Sequence, residues 1–160
     1  MSKPDLATYG GRLRDIGFAG GLVDENASII DSKVNDLTIA IDFGNAVARS
    51  AADNSCKAPT LDTDKIIGLA ARNAIRPADV ANNVLYAQRD EVPILKLGFI
   101  YVTAFESVVR GDGAISVTAQ NGKVSGTTAG AAGVGRVAIP GGIWETTTAV
   151  GLVGIVRMTQ

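Results

Sequence analysis

Between Leu37 and Met158 the chain is a succession of short apolar runs rich in β-branched residues, each soon stopped by glycine, asparagine or aspartate. No run repeats apolar positions every three to four residues for long enough to build an amphipathic helix. Short strands joined by turns are what such a text can fold into. Thr38 to Phe43 alternates and ends at Gly44-Asn45, and Ala46 to Arg49 follows as a second short run. Lys65 to Arg72 carries Ile66, Ile67 and Leu69. Glu91 to Phe105 is the strongest segment, interrupted by Pro93 and Gly98. Proline cannot donate to a ladder, which predicts an edge position or a strand start for Pro93. Gly98 predicts a bulge or bend dividing two strands.

Ala114 to Gln120 alternates cleanly, with Ile115, Val117 and Ala119 on one face and Ser116, Thr118 and Gln120 on the other. Asn121-Gly122 then supplies the two positive-φ positions of a type I′ hairpin, with Lys123 to Thr128 returning as partner. Gly135 to Ile139, Ile143 to Thr148 and Leu152 to Met158 complete the set. Only Pro77 to Ala87 has helical character, with Pro77 suited to a first turn. Eight to ten strands of this kind imply an all-β fold, a sandwich or barrel. Residues 1–36 read differently. Gly10-Gly11, Gly17 and Gly20-Gly21 break any period, yet Leu13, Ile16, Phe18, Leu22 and Val23 are too apolar for a free tail. They predict an arm that orders against another surface or wraps its own domain, ahead of a single β domain over residues 37–160.

Composition narrows the chemistry. The 160 residues include no histidine and one cysteine, so the commonest general base and metal ligand is missing and no intrachain disulfide can form. Basic and acidic residues nearly balance, 15 against 16, with no run of either sign, which argues against nucleic acid or an anionic membrane as partner. Met1 to Gly10 has no apolar signal-peptide core, and the longest apolar stretch, Ala149 to Val156, contains two glycines and falls far short of a membrane span. A soluble product of a reducing cytoplasm is the expectation.

Individual motifs point to turns and core rather than catalysis. Arg110-Gly111-Asp112 reads as a turn into the Ala114 strand. Gly130 to Gly135 lacks the Lys-Ser/Thr and the strand–loop–helix setting of a phosphate loop, so it reads as a flexible surface loop. Asp62 with Asp64, and Asp90 with Glu91, read as solvated turn carboxylates, although carbonyl-rich calcium loops leave little trace in sequence. Cys56, between Ser55 and Lys57 in a polar loop, has a lysine that modestly lowers a thiol's pKa but no base to activate it. Trp144, Tyr101, Phe99 and Phe105 read as core anchors. No catalytic residue, cofactor or metal site is expected.

The order of segments over residues 17–158 resembles the cement (decoration) proteins of tailed-bacteriophage capsids. The resemblance begins with the glycine-bearing arm Gly17-Phe18-Ala19-Gly20-Gly21-Leu22-Val23-Asp24 and the isoleucine-rich Ile29-Ile30-Asp31-Ser32-Lys33-Val34-Asn35. It continues through Phe43-Gly44-Asn45-Ala46-Val47-Ala48-Arg49, Lys57-Ala58-Pro59 and Ile66-Ile67-Gly68-Leu69-Ala70. Tyr86, the stretch from Asp90 to Val102, the Gly111-Asp112 turn, Ile143-Trp144 and Gly151 to Val156 match the remainder. Two positions depart from the pattern: Leu97 replaces a basic or aromatic residue, and Ala74 to Asn83 is a longer insertion.

The resemblance implies a jelly-roll-like antiparallel β-sandwich or barrel with an extended N-terminal arm. It implies a protein of the virion, made in the host bacterium, that binds the outer head surface as a homodimer or homotrimer and bridges major capsid protein subunits. Leu13, Ile16, Phe18, Leu22 and Val23 are then the expected capsid or inter-protomer contacts. A receptor- or glycan-binding module of a tail or fibre is the alternative, and an enzyme using two facing carboxylates is a third reading.

Overall fold

The computed structural model describes residues 19–23, 28–72, 85–119 and 126–159. These residues form strands and no helix: β1 (Ile29–Asn35), β2 (Ile41–Asp42), β3 (Ala46–Arg49), β4 (Ser55–Lys57), β5 (Ile66–Ala70), β6 (Leu85–Tyr86), β7 (Glu91–Thr103), β8 (Gly113–Val117), β9 (Gly126–Ala129), β10 (Arg136–Trp144) and β11 (Val153–Met158). The expected all-β sandwich or barrel is present, and its organiser is β7. Nine strands join in the order β1-β4-β3-β5-β7-β11-β10-β8-β9, and β1 also pairs with β7. The first five strands therefore close into a ring. The other half closes more loosely, because a parallel bridge joins Ala104, just past β7, to Thr127 of β9. Every ladder of the large sheet is antiparallel except β1–β4, which runs parallel.

β7 belongs to both rings. Residues Glu91–Leu97 pair with β1, Ile94 and Leu95 also pair with β5, and Gly98–Thr103 pair with β11. The switch falls at Gly98, whose φ of 125° suits glycine. Gly98 does not divide two strands, as its position suggested; it turns one continuous strand from one set of partners to the other. Pro93 is likewise interior, opposite Ser32 of β1. It is tolerated because its carbonyl accepts from Ala71 N–H (2.8 Å) beyond the end of β5, and a strand residue's nitrogen faces the same side as its carbonyl. The missing N–H thus points where the β5 ladder has already stopped.

Two cores follow from this sharing. Val92 and Ile94 pack with Ile41, Phe43, Val47, Cys56, Ala70 and Tyr86 in one; Leu95, Ile100 and Val102 pack with Leu69, Val137, Ile139, Trp144 and Val156 in the other. β3 lies between them. Strand residues alternate faces, so Val47 enters the first core while Ala46 and Ala48, small enough for close packing, enter the second. Trp144 is wholly buried and its indole N–H donates to Thr128 O (2.9 Å), satisfying its one polar group. Phe43 and Tyr86 pack with tilted rings, their centres 4.8 Å apart, and the Tyr86 hydroxyl donates to Ala71 O (2.6 Å).

Several sequence expectations change. Ile29–Asn35, within the stretch read as irregular, is a strand of the main sheet, and Ser55–Lys57 is a strand rather than a polar loop. Of Thr38 to Phe43 only Ile41–Asp42 is strand, paired with Leu85–Tyr86. The runs expected at Gly135 to Ile139 and Ile143 to Thr148 merge into β10, whose ladder to β8 shifts register between Ala138 and Ile143. β8 and β9 pair antiparallel as the hairpin pattern requires, while Asn121-Gly122 lies outside the described residues. The helical expectation over Pro77 to Ala87 falls mostly outside them too.

Gly68 is fixed by closeness. A β-carbon there would sit 2.4 Å from Leu95 O and 2.6 Å from Ile94 Cγ2, on the side where β5 lies against β7, while its ladder to β3 shifts register. Gly68→Ala should cost about 1–3 kcal/mol in urea unfolding by overpacking. Gly113→Ala, which meets open space, should fall within about 0.5 kcal/mol of wild type.

Candidate contact surface

One end of the molecule is built by two loops, Ala104–Asp112 after β7 and Glu145–Leu152 before β11. They are tied by backbone hydrogen bonds: Val108 N–H donates to Thr148 O (2.9 Å), Thr148 N–H returns to Val108 O (3.0 Å), and Ala104 N–H donates to Leu152 O (2.9 Å). Thr146 and Thr147 are held as well, since Thr146 Oγ1 accepts from Ile155 N–H (2.9 Å) and Thr147 Oγ1 from Arg110 N–H (3.2 Å). Loops held this way keep their side chains in place. At this end Phe105, Val109, Val150 and Leu152 are exposed, between 45% and 63%. Apolar residues are exposed elsewhere as well, Val134, Ile29 and Leu61 among them, and these four differ in sitting on two loops bonded to each other, which makes them a candidate interaction surface.

The arm reaches this region. Gly20 N–H donates to Tyr101 O (2.7 Å), Tyr101 N–H to Gly21 O (2.9 Å) and Val23 N–H to Phe99 O (3.1 Å), so residues 20–23 form a short ladder on the part of β7 that β1 does not cover. Leu22 turns inward and packs against the second core, and Val23 turns outward. Val23, Phe99, Tyr101, Leu152, Val153 and Ile155 then line an open groove of about 690 Å³. On its rim Glu145 lies 2.7 Å from Arg157 Nε and 3.9 Å from Arg110. Of the five arm residues singled out in the sequence, Leu22 and Val23 are thus placed; Leu13, Ile16 and Phe18 lie outside the described residues.

The remaining sequence candidates resolve mostly into structure. Val109 to Asp112 is a turn, closed by Asp112 N–H to Val109 O (3.1 Å) and by the Asp112 carboxylate accepting from Val109 N–H (3.1 Å). The glycine loop ends in a tight turn in which Gly133 and Arg136 exchange backbone hydrogen bonds (3.0 and 2.9 Å). Cys56 is buried in the first core, and burial together with the nearby Asp36 charge pushes its thiol up to about 12, opposite to the lowering expected from Lys57. Among the aromatics, Trp144 is core, but Phe99 and Tyr101 are half-buried along the groove and Phe105 is exposed. The wet-turn reading also fails for Asp64, which takes Lys57 Nζ at 2.7 Å and the N–H groups of Thr60 (2.8 Å) and Leu61 (3.0 Å). Asp90 accepts from Ala87 N–H (2.6 Å) as a turn cap. Among the described residues no three potential metal-ligating side chains cluster, and no helix is long and apolar enough to cross a membrane.

A rigid β scaffold that presents exposed apolar side chains on ordered loops, with no cluster of metal-ligating side chains among the described residues, defines a surface-binding structural protein. Residues 6–159 match the family described as structural cement protein (E217 gp24/Pam3 gp6), and the chain belongs to that family of phage cement proteins. Among solved structures it is similar to a chain from "The capsid of Myoviridae Phage XM1", with a TM-score of 0.71 and 17% identity, covering 89% of this chain and 90% of that one. None of the curated proteins matches it. Its role is that of a capsid cement protein located in the virion, and the receptor- or glycan-binding alternative is not favoured.

Asp64 carries a pH prediction. Burial opposes its ionisation, but Lys57 and the two amides outweigh that and hold the carboxyl below its ordinary value. Since the folded value lies below the unfolded one, the stabilisation is complete at neutral pH and is lost as pH falls through the folded value. Asp64→Asn should lose about 1–3 kcal/mol at pH 7 by urea unfolding. The difference between variant and wild type should shrink as pH falls through the folded value, where the wild-type carboxyl protonates in the folded state as well.

Proposed function

We propose that this protein docks its clamped apolar end on the outer surface of a phage head and bridges neighbouring major capsid protein subunits, acting without catalysis. The observation that supports this is the exposure of Phe105, Val109, Val150 and Leu152 on loops held by backbone hydrogen bonds, with Val23 of the arm alongside. Buried on docking, such side chains contribute roughly 25 cal/mol per Å² of apolar surface removed from water. Because their loops are already ordered, little conformational entropy is lost in the process. On a shell the same contact recurs around every symmetry axis, so modest individual interfaces combine into tight attachment.

The arm has a distinct part in this reading. Leu22 is the anchor that fixes where the arm meets the domain, and Val23, with Leu13, Ile16 and Phe18 upstream, extends the apolar contact to the shell or to a second copy. Residues 1–36 then divide between contact arm and sheet strand, and residues 37–160 form the body. The protein assembles as a homodimer or homotrimer on the head and needs no cofactor, nucleic acid or membrane.

Expanded heads lacking the protein provide the test. Val150→Glu and Leu152→Glu are surface changes expected to shift stability by no more than about 0.5 kcal/mol. Each should lower occupancy on heads, measured by co-sedimentation, by about tenfold or more in apparent affinity, because a desolvated carboxylate would face an apolar contact. Deleting residues 1–18, which leaves the Leu22 anchor, should weaken decoration and leave the fold intact. Full occupancy by both glutamate variants would remove this end from the contact.

A further inference from the structure

We propose that the pocket beside Asp42 receives a lysine or arginine side chain of the capsid shell, making it the charged element of an otherwise apolar contact. This rests on the reading of the protein as a head-binding cement protein and names the chemistry its partner must bring. The pocket, about 370 Å³, opens at the same end as the exposed apolar loops: Phe105 and Val150 form part of its wall, with Phe43 and Ala104. Asp42 is the sole ionisable residue among the described residues that line it.

Its position follows from the local fold. Ile41 enters the first core, so the next residue of β2 faces the opposite way. The chain then turns, with Asn45 N–H donating to Asp42 O (3.1 Å) and Gly44 at a φ of 82°. Four other acidic groups of the body have cationic partners, Asp31 with Lys96, Asp64 with Lys57, Glu106 with Arg136 and Glu145 with Arg157, whereas Asp62 and Glu91 are exposed to water. The Asp42 carboxylate makes no hydrogen bond or ion pair with any described side chain. The nearby Arg72 guanidinium lies over the Phe43 ring, 6.0 Å from its centre, rather than on the carboxylate.

Burial raises the Asp42 pKa, as it does for a charge without a counter-ion. A partly buried carboxylate with no partner among the described residues destabilises a fold, and asparagine would fill the same space without that penalty. A cation supplied from outside is the interaction that would make the charge favourable. Lysine and arginine also suit the rest of the pocket, because their aliphatic stems pack on apolar walls while the head reaches the carboxylate.

The test uses the full-length protein, expanded heads lacking it, and the variants Asp42→Asn and Asp42→Ser. At neutral pH both variants should melt at or a few degrees above wild type, as expected when an uncompensated charge is removed. Their apparent affinity for heads should fall by about tenfold or more. Wild-type binding should also weaken more steeply with added NaCl than binding of either variant. Variants that decorate like wild type, with the same salt dependence, would overturn the proposal and leave the cement role standing. A lowered melting temperature for both, or a carboxyl of the isolated protein that titrates below the ordinary aspartate range, would overturn it by showing that this chain or a second copy already pairs the charge. Wild-type protein that fails to bind heads at all would overturn the cement reading and this one together.

Discussion

The structure depends on one strand serving two sets of partners. β7 forms ladders with β1 and β5 before Gly98 and with β11 after it. Of its even-numbered residues, Val92, Ile94, Ile100 and Val102 are buried core side chains, the first two in one core and the last two in the other. Neither ring could close without it. Loss of register anywhere along its 13 residues would move apolar side chains in both cores to the wrong face. The short strands β3, β4 and β5 need no great stability of their own, because each is held on both edges once β7 is in place.

The same strand delivers the end proposed to make the contact. Where β7 leaves the sheet at Thr103, the chain enters the loop that pairs with Glu145–Leu152, and where β1 stops covering β7, the arm residues 20–23 occupy the vacant edge. An open edge is an aggregation hazard, and the arm covers this one with the chain's own backbone. The scaffold and the apolar end are therefore mechanically continuous. A cement protein benefits from this: it must resist separation of the subunits beneath it, and a stiff body transmits load between its contacts without yielding.

Much of the fold was legible in the sequence because the central signals are local. The alternation of Ala114 to Val117, the run from Glu91 to Thr103 and the apolar Val153 to Met158 became β8, β7 and β11. What escaped depends on long-range pairing. β1 reads as irregular because its outward residues Ile30 and Val34 are apolar, so its burial follows no hydrophobic alternation, and its strand state comes from pairing with residues some sixty positions later. β4 carries only Cys56 inward, and a three-residue strand has no period to detect. Pro93 and Gly98 misled for a related reason: each is permitted by where neighbouring ladders end, which the local text does not state. The contact end was only partly legible. Phe105 was read as core, and Val109, Val150 and Leu152 sit beside turn glycines, where an apolar residue without a strand face to serve was the available signal.

The most direct measurement of the central claim is a cryo-EM reconstruction of mature heads of the phage that encodes this protein. Outer-surface density should fit the two-ring fold, with the Phe105, Val150 and Leu152 end buried against at least two capsid subunits. Heads that carry no such density, or density found solely in the tail, would contradict that claim.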